Sequence, residues 1–172
     1  VSGSYGYFSI VGGADDDLIS VKGSTNAWAY GDEGNDTIIA SESHVGIDAG
    51  AGNDSVSVTK IIENSAANFD CGEGNDTIEF YDTWMPNYDS YTGTGGRVSG
   101  DAGDDLLIAR NATIYGTGFF GGEGNDTISV DNSTVTSGFR FYNGAGNDSI
   151  SVSNITGNFS GDVMFYSEYS TY

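Results

Sequence analysis

The sequence has very little of several residue types on which catalysis and nucleic-acid binding commonly depend. Its 172 residues include one histidine, one cysteine, one proline and only five basic residues, against 25 acidic ones. A single cysteine, Cys71, rules out a disulfide within the chain. The lone His44 excludes a catalytic triad or a histidine-rich zinc site, and we expect no enzyme. The net charge of −20 excludes nucleic acid as a partner, because phosphate binding needs a basic surface.

Long hydrophobic runs are also missing. No apolar stretch approaches the roughly 20 residues of a membrane-spanning helix, so we expect no membrane insertion. The chain starts at Val1 and shows no signal peptide. This start predicts a processed product or an excised piece of a longer protein.

Glycine and aromatic residues, by contrast, are abundant. The chain has 27 glycines, 11 tyrosines, nine phenylalanines and two tryptophans, so it can form a hydrophobic core and is not a disordered acidic tail. So large a negative charge destabilises a compact fold by self-repulsion unless something neutralises it. Divalent cations would do so.

A short unit recurs along the whole chain: a glycine-rich turn, an aspartate, and then an alternating strand. Residues 121–130 (GGEGNDTISV) are the clearest copy. Repeats at such a period indicate stacked coils. Seven turns align, and each ends in an aspartate: Asp17, Asp36, Asp54, Asp76, Asp105, Asp126 and Asp148.

The residues around each turn alternate between apolar and polar, which predicts two short half-buried strands per repeat. The second and fourth residues after each aspartate are predicted to point inward, as are two residues before each turn, for example Ile128 and Val130 after Asp126, and Phe139 and Phe141 before Asp148. A third, shorter segment is predicted at Ile114, Val135 and Ile155. Bends are expected at Asn111, Asn132 and Asn154, because asparagine tolerates the left-handed conformation.

These patterns predict an all-β fold, a parallel β-solenoid (β-helix or β-roll) with about seven to eight coils of ~20 residues. We expect one domain over residues 1–172, with an inserted loop at about 81–95. The third turn position alternates between alanine and glutamate, which would keep carboxylates of adjacent coils apart. The order of turn types also predicts a block of four coils that is duplicated in tandem. The eighth coil is then predicted to begin at residues 163–166.

The turn resembles the RTX, or hemolysin-type, nonapeptide repeat G-G-x-G-x-D-x-U-x. Residues 121–129 fit it at every position, and the other six turns depart from it at one to three positions. The resemblance implies calcium bound between successive turns, about six ions in one row. The implied ligands are the seven aspartates that end the turns, with four further candidates at Asp16, Asp32, Asp101 and Asp104.

A metal-free alternative stays open, in which the Asn-Asp turns only cap strands and form side-chain ladders. A hydroxyl row at Thr37, Ser55 and Thr77 also suggests an ice-binding solenoid, although Ile39 and Glu79 interrupt related positions. The insertion at 81–91 is rich in aromatic residues, which predicts either carbohydrate contact or simple packing against the coil edge.

The function predicted from the sequence is structural. We expect a calcium-binding protein that is secreted or on a bacterial cell surface, in an adhesin stalk, matrix or filament, with calcium-dependent folding. Its aromatic ends suggest a homopolymer formed end to end. The alternative is a β-helix carbohydrate-binding module or polysaccharide-active enzyme.

Overall fold

The fold was obtained as a computed structural model, which describes residues 8–24, 26–61, 68–85, 96–137, 140–157 and 164–166. In this part of the chain all regular structure is β. The strands are β1 (Phe8–Ala14), β2 (Leu18–Lys22), β3 (Ala27–Glu33), β4 (Thr37–Ser41), β5 (Val45–Ala51), β6 (Ser55–Thr59), β7 (Asn68–Glu73), β8 (Thr77–Tyr81), β9 (Trp84–Met85), β10 (Arg97–Ala102), β11 (Leu106–Arg110), β12 (Thr113–Tyr115), β13 (Gly118–Glu123), β14 (Thr127–Asp131), β15 (Thr134–Ser137), β16 (Arg140–Ala145), β17 (Ser149–Ser153) and β18 (Met164–Tyr166).

The strands form three parallel sheets in which like strands stack on like. The first sheet has the order β1-β3-β5-β7-β10-β13-β16-β18, and the second has the order β17-β14-β11-β8-β6-β4-β2. A short third sheet, β15-β12-β9, covers the later coils. The chain therefore winds as a parallel β-solenoid, which confirms the predicted fold class. The described residues include no helix that is long and apolar enough to cross a membrane.

The interior is a set of apolar columns that run along the solenoid. Strand pairing places Ile38, Val56, Ile78, Leu107 and Ile128 in register, and each is at most 2 % exposed. Alternate residues of every strand thus share one core, because side chains along a strand alternate between its two faces. The inward positions predicted from the sequence are confirmed as buried in the coils between the two ends, whereas Phe8, Ile10 and Ile150 in the end coils are only partly buried.

Register along the first sheet also bears out two finer predictions. Glu33 pairs with Ala14 on one side and Ala51 on the other, so carboxylates are not direct neighbours at this position. The last strand, β18, pairs with β16 and sets Phe165 against Phe141, as expected for an eighth coil.

The predicted bends at Asn111, Asn132 and Asn154 do take positive φ values. The same corner of the other coils does so too, at Gly23, Glu42, Lys60 and Asp82.

The described part of the predicted insertion belongs to the coil itself. Trp84–Met85 form β9, the first strand of the third sheet, and pair with β12. Met85 is fully buried, and the Trp84 ring stacks on Tyr115 with centroids 6.4 Å apart. Residues 86–95, the rest of the predicted loop, lie outside the described residues.

Wherever a coil precedes it, close stacking leaves no room for a side chain at the fourth turn position, and Gly74→Ala is expected to cost several kcal/mol of stability. Asp15 holds this position in the first turn, before which the described residues place no coil. Gly74 has a φ of +131°, and a Cβ there would lie 1.8 Å from the carbonyl oxygen of Gly52 in the preceding coil. Gly13→Ala is the matched control, because Gly13 has a φ of +118° but open space around it. The control should lose only about 1 kcal/mol, the usual cost of the backbone conformation. Urea denaturation in calcium measures both, and equal losses would refute the steric argument.

Candidate metal centre

Each glycine-rich turn carries the chain from a first-sheet strand to a second-sheet strand. In the clearest copy, β13 ends at Glu123, Gly124 takes a φ of +133°, and β14 begins at Thr127 just after Asp126. Glycine is used there because this backbone region is poorly accessible to L-residues with a side chain. The turns stack in register, so that equivalent backbone and carboxylate groups of successive coils form rows.

The seven predicted ligands form one continuous row, which we call the inner aspartate ladder. The backbone N–H of each aspartate donates to Oδ1 of the aspartate one coil further along the chain. The six bonds measure 2.7 to 3.0 Å and link Asp17, Asp36, Asp54, Asp76, Asp105, Asp126 and Asp148. The structure therefore brings together all seven of the principal predicted residues.

The second carboxylate oxygen of this ladder has no partner within the protein. Oδ2 is buried and makes no hydrogen bond at Asp36, Asp54, Asp76, Asp105 and Asp126, and these five residues are only 1–3 % exposed. A buried charged oxygen without a partner is strongly unfavourable. Five such oxygens in one row indicate a group that the protein atoms alone do not supply.

Backbone oxygens of the next coil face the same space as these orphaned atoms. A Cβ added at Gly31 would lie 2.1 Å from the carbonyl oxygen of Ala49 and 2.2 Å from Oδ2 of Asp36. At Gly121 it would lie 2.2 Å from the carbonyl oxygen of Asn143 and 2.4 Å from Oδ2 of Asp126. Oxygens from two successive coils thus converge beside the first turn residue.

This donor set suits calcium, which takes six to eight oxygens from carboxylates, backbone carbonyls and water. Within the described residues, no three Asp, Glu, His or Cys side chains cluster as a metal site. A cation at the ladder would therefore take backbone carbonyl oxygens in addition to Oδ2. Hard oxygen ligands without sulfur or imidazole are typical of calcium and unlike a zinc site.

Without a cation the inner ladder is electrostatically strained. Burial raises the pKa of Asp76 to about 6 and that of Asp105 to about 7, and neighbouring aspartates add to the effect. Burial likewise raises the pKa of Asp54 and Asp126. The hydrogen bond that each Oδ1 accepts from a backbone N–H opposes these rises. A bound cation would favour the charged form of every one of these groups.

The candidates Asp16 and Asp104 lie in a different row, the outer ladder, on the exposed side of the turn. The Asn35 N–H donates to Oδ1 of Asp16 at 2.8 Å, and the Asn125 N–H to Oδ1 of Asp104 at 2.7 Å. The other coils have asparagine at this position. In the outer ladder each backbone N–H donates to the coil before it, whereas in the inner ladder each N–H donates to the coil after it. The bond from Asn35 lowers the pKa of Asp16.

The last two candidates, Asp32 and Asp101, occupy the second turn position with φ values of 75° and 71°. Oδ1 of Asp101 accepts hydrogen bonds from Arg97 at 3.0 Å and from the Ser99 hydroxyl at 2.5 Å. Arg97 was missed by the sequence reasoning, because nothing in its local pattern marks it. Ion binding by any of the eleven predicted aspartates stays a prediction.

Comparison with known proteins identifies the turn. The family model of the RTX calcium-binding nonapeptide repeat matches the chain in four copies, over residues 30–58 and 119–132. The matched segments contain Asp36, Asp54 and Asp126 of the inner ladder. No curated protein and no solved structure matches this chain significantly.

Proposed function

From the RTX calcium-binding repeats that this β-solenoid carries, we propose a structural protein that is secreted or exposed on a bacterial cell surface. RTX repeats are typical of secreted or extracellular proteins. The observation that carries the proposal is the row of five buried, unpartnered Oδ2 atoms. This row of oxygens continues through the coils of Asp76 and Asp105, which lie outside the segments that the family model matches.

About six calcium ions would bind in one row, one at each interface between successive turns. The ions would add about +12 to the net charge of −20 and remove much of the self-repulsion of the chain. Folding would then be coupled to the calcium concentration, since the site forms only when the coils stack. A protein built this way stays unfolded where calcium is scarce and folds where it is abundant.

Core positions of the last described coil are exposed, which supports assembly end to end. Phe165 is 60 % exposed and Val152 is 38 % exposed, whereas Phe141 and Val130, which pair with them one coil earlier, are fully buried. Exposed strand edges and apolar columns favour stacking of another chain. At the other end Phe8 and Ile10, the core positions of β1, are only partly buried. Most of the predicted aromatic ends, apart from Phe8, Phe165 and Tyr166, lie outside the described residues.

Sedimentation velocity in millimolar calcium tests this assembly. We expect the sedimentation coefficient to rise with protein concentration, and Phe165→Glu to reduce the self-association at least tenfold. Tyr81→Glu is the control. Tyr81 is also an exposed aromatic residue (44 %), but it lies on β8, the central strand of the second sheet, away from both ends of the solenoid. Wild-type protein that stays monomeric at every concentration would refute a filament and leave calcium binding intact.

The ice-binding alternative gains no support from the second sheet. Its outward hydroxyl columns are broken by Leu106 and by Glu79, which pairs with Arg110 at 2.8 Å. Carbohydrate contact at residues 81–91 stays a prediction, because residues 86–91 lie outside the described part of the chain.

A further inference from the structure

The outer face of the first sheet carries aromatic and charged side chains that the calcium-binding turns do not use. Their positions alternate with the buried core residues of the same strands, so they point away from the core. Tyr30 pairs with Asp48 and Asp48 with Asp70 in successive strands, about 4.8 Å apart. We call this the outer-face cluster; its members are Trp28, Tyr30, Asp48, Asp70 and Arg97.

The Trp28 ring forms a flat platform on this face. A Cβ at Gly46, in the next strand, would lie 2.8 Å from three atoms of the Trp28 six-membered ring. The ring therefore lies over the glycine backbone, and only glycine leaves room for it. Trp28 is nevertheless 38 % exposed, and Tyr30 stacks beside it at 5.9 Å with an interplanar angle of 17°. The sheet thus supports one side of an aromatic surface that is open to solvent.

Fixed polar groups lie beside this platform. Nη1 of Arg97 donates to Oδ1 of Asp70 at 2.5 Å, and the two side chains are 30 % and 29 % exposed. Arg97 is held further by Asp101 and by the Phe120 ring, whose centroid is 5.1 Å away. Asp48 is exposed and forms no ion pair among the described residues. Strand order places Arg97 three strands from Trp28, about 14 Å away, so a chain of several sugar rings that lies on Trp28 can reach both the acceptors and this donor.

We propose that the outer-face cluster is a binding site for a neutral glycan chain. A sugar ring presents an apolar C–H face, which packs on an aromatic ring, and a rim of hydroxyl groups, which pair with carboxylates and guanidinium groups. The carboxylates of the cluster and the charge of −20 oppose an anionic polymer. A protein partner would leave Asp48 buried and unpaired against an apolar surface, which is costly. The site is separate from the inner ladder and goes beyond the proposed structural role.

Tryptophan fluorescence gives a direct test. In a Trp84→Phe background Trp28 is the sole tryptophan, and it reports on its own surface. The folded, calcium-loaded protein is titrated with dextran, galactomannan and cello-oligosaccharides as neutral probes, with hyaluronan as the anionic one. We expect a saturable change with at least one neutral probe and none with hyaluronan.

Variants assign the binding to the platform. By affinity electrophoresis in the same neutral probe, Trp28→Ala is expected to weaken binding at least tenfold and Asp48→Asn severalfold. Trp28→Phe should retain part of the affinity. Tyr115→Ala removes an aromatic residue that is 46 % exposed on the third sheet and should leave binding unchanged. Circular dichroism confirms that each variant is folded.

Three results would overturn the proposal. They are the absence of saturable binding with all three neutral probes, equal binding by wild type and Trp28→Ala, and binding of hyaluronan alone. A protein ligand that competes with no glycan but is lost with Trp28→Ala would assign the face to a protein partner instead.

Discussion

Removing calcium is expected to lower the melting temperature by more than about 20 °C or to unfold the solenoid outright. Each site that is occupied at about a hundred times its Kd contributes roughly 2.7 kcal/mol, and whole domains are stable by only about 5–15 kcal/mol. Loss of three or more sites therefore removes most of the stability. The physical reason is the role proposed for the inner ladder, whose five buried Oδ2 atoms have no partner within the protein.

Calorimetry and far-UV circular dichroism, each with calcium and with a chelator, measure this effect. Magnesium is the control cation, because it demands a tighter octahedral geometry and dehydrates reluctantly. Magnesium should restore only a small part of the lost melting temperature. Added salt screens the charges but does not occupy the calcium sites. An unchanged melting temperature in chelator at low ionic strength would show that the ladders stand without metal, as in the alternative left open by the sequence.

A pair of substitutions separates the two ladders. Asp76→Asn keeps the acceptor for the N–H of Asp54 but removes a charged ligand, and should cost calcium-loaded protein about 2–3 kcal/mol. Asp104→Asn places asparagine in the exposed outer ladder, where the neighbouring coils already have Asn75 and Asn125, and should cost less than about 0.5 kcal/mol. In chelator Asp76→Asn should be the less destabilising of the two substitutions, because it removes a buried charge that no cation neutralises. Equal costs in calcium would place ions at the outer ladder as well.

Much of the fold could be predicted because stacked coils repeat one local rule. Period-2 alternation after each aspartate is enough to assign inward residues such as Ile78 and Phe80, since parallel stacking then aligns equivalents without further information. The left-handed corner was recognised only where asparagine marks it. Glu42 and Lys60 take the same conformation with no sequence signal, because there the geometry of the coil overrides the preference of the residue.

The row of aspartates could be predicted from the turn motif, and its role as a metal site stays a prediction, but the burial of each side chain within a turn could not be predicted. Adjacent aspartates such as Asp104 and Asp105 look alike in sequence, yet one is exposed and the other is 2 % exposed. Which of them faces the next coil depends on backbone dihedrals within the turn. The outer-face cluster was invisible for a related reason. Trp28, Asp48 and Arg97 come from different coils, and only the register of the sheet brings them onto one surface.

Metal-free protein is also expected to become less stable as the pH rises from 4 to 7.5, which is the opposite of the calcium-loaded form. In the folded chain without metal the pKa of Asp76 is raised to about 6 and that of Asp105 to about 7. The folded state then binds more protons than the unfolded state between these values and the ordinary pKa of aspartate. The free energy of unfolding must therefore fall with pH across this window.

Calcium reverses the slope because it competes with protons for the same carboxylates. Ligand carboxylates must be deprotonated to bind, so the affinity for calcium, and with it the stability at fixed calcium, rises with pH in the same window. Urea denaturation at pH 4, 5, 6, 7 and 7.5, with calcium and with a chelator that is effective at each pH, gives both curves. The free energies of unfolding with calcium and with chelator should diverge steadily from about pH 5 upward.

Two variants identify the groups responsible. His44→Gln removes the chain's one histidine and should leave the falling slope of metal-free protein in place. Asp76→Asn with Asp105→Asn should flatten that slope, because the two aspartates with the highest pKa values can no longer take up protons. A slope that survives the double substitution and disappears with His44→Gln would move the pH dependence away from the inner ladder. The ladder carboxylates would then be ionised without metal, and their burial would have to be compensated by contacts other than those of a cation.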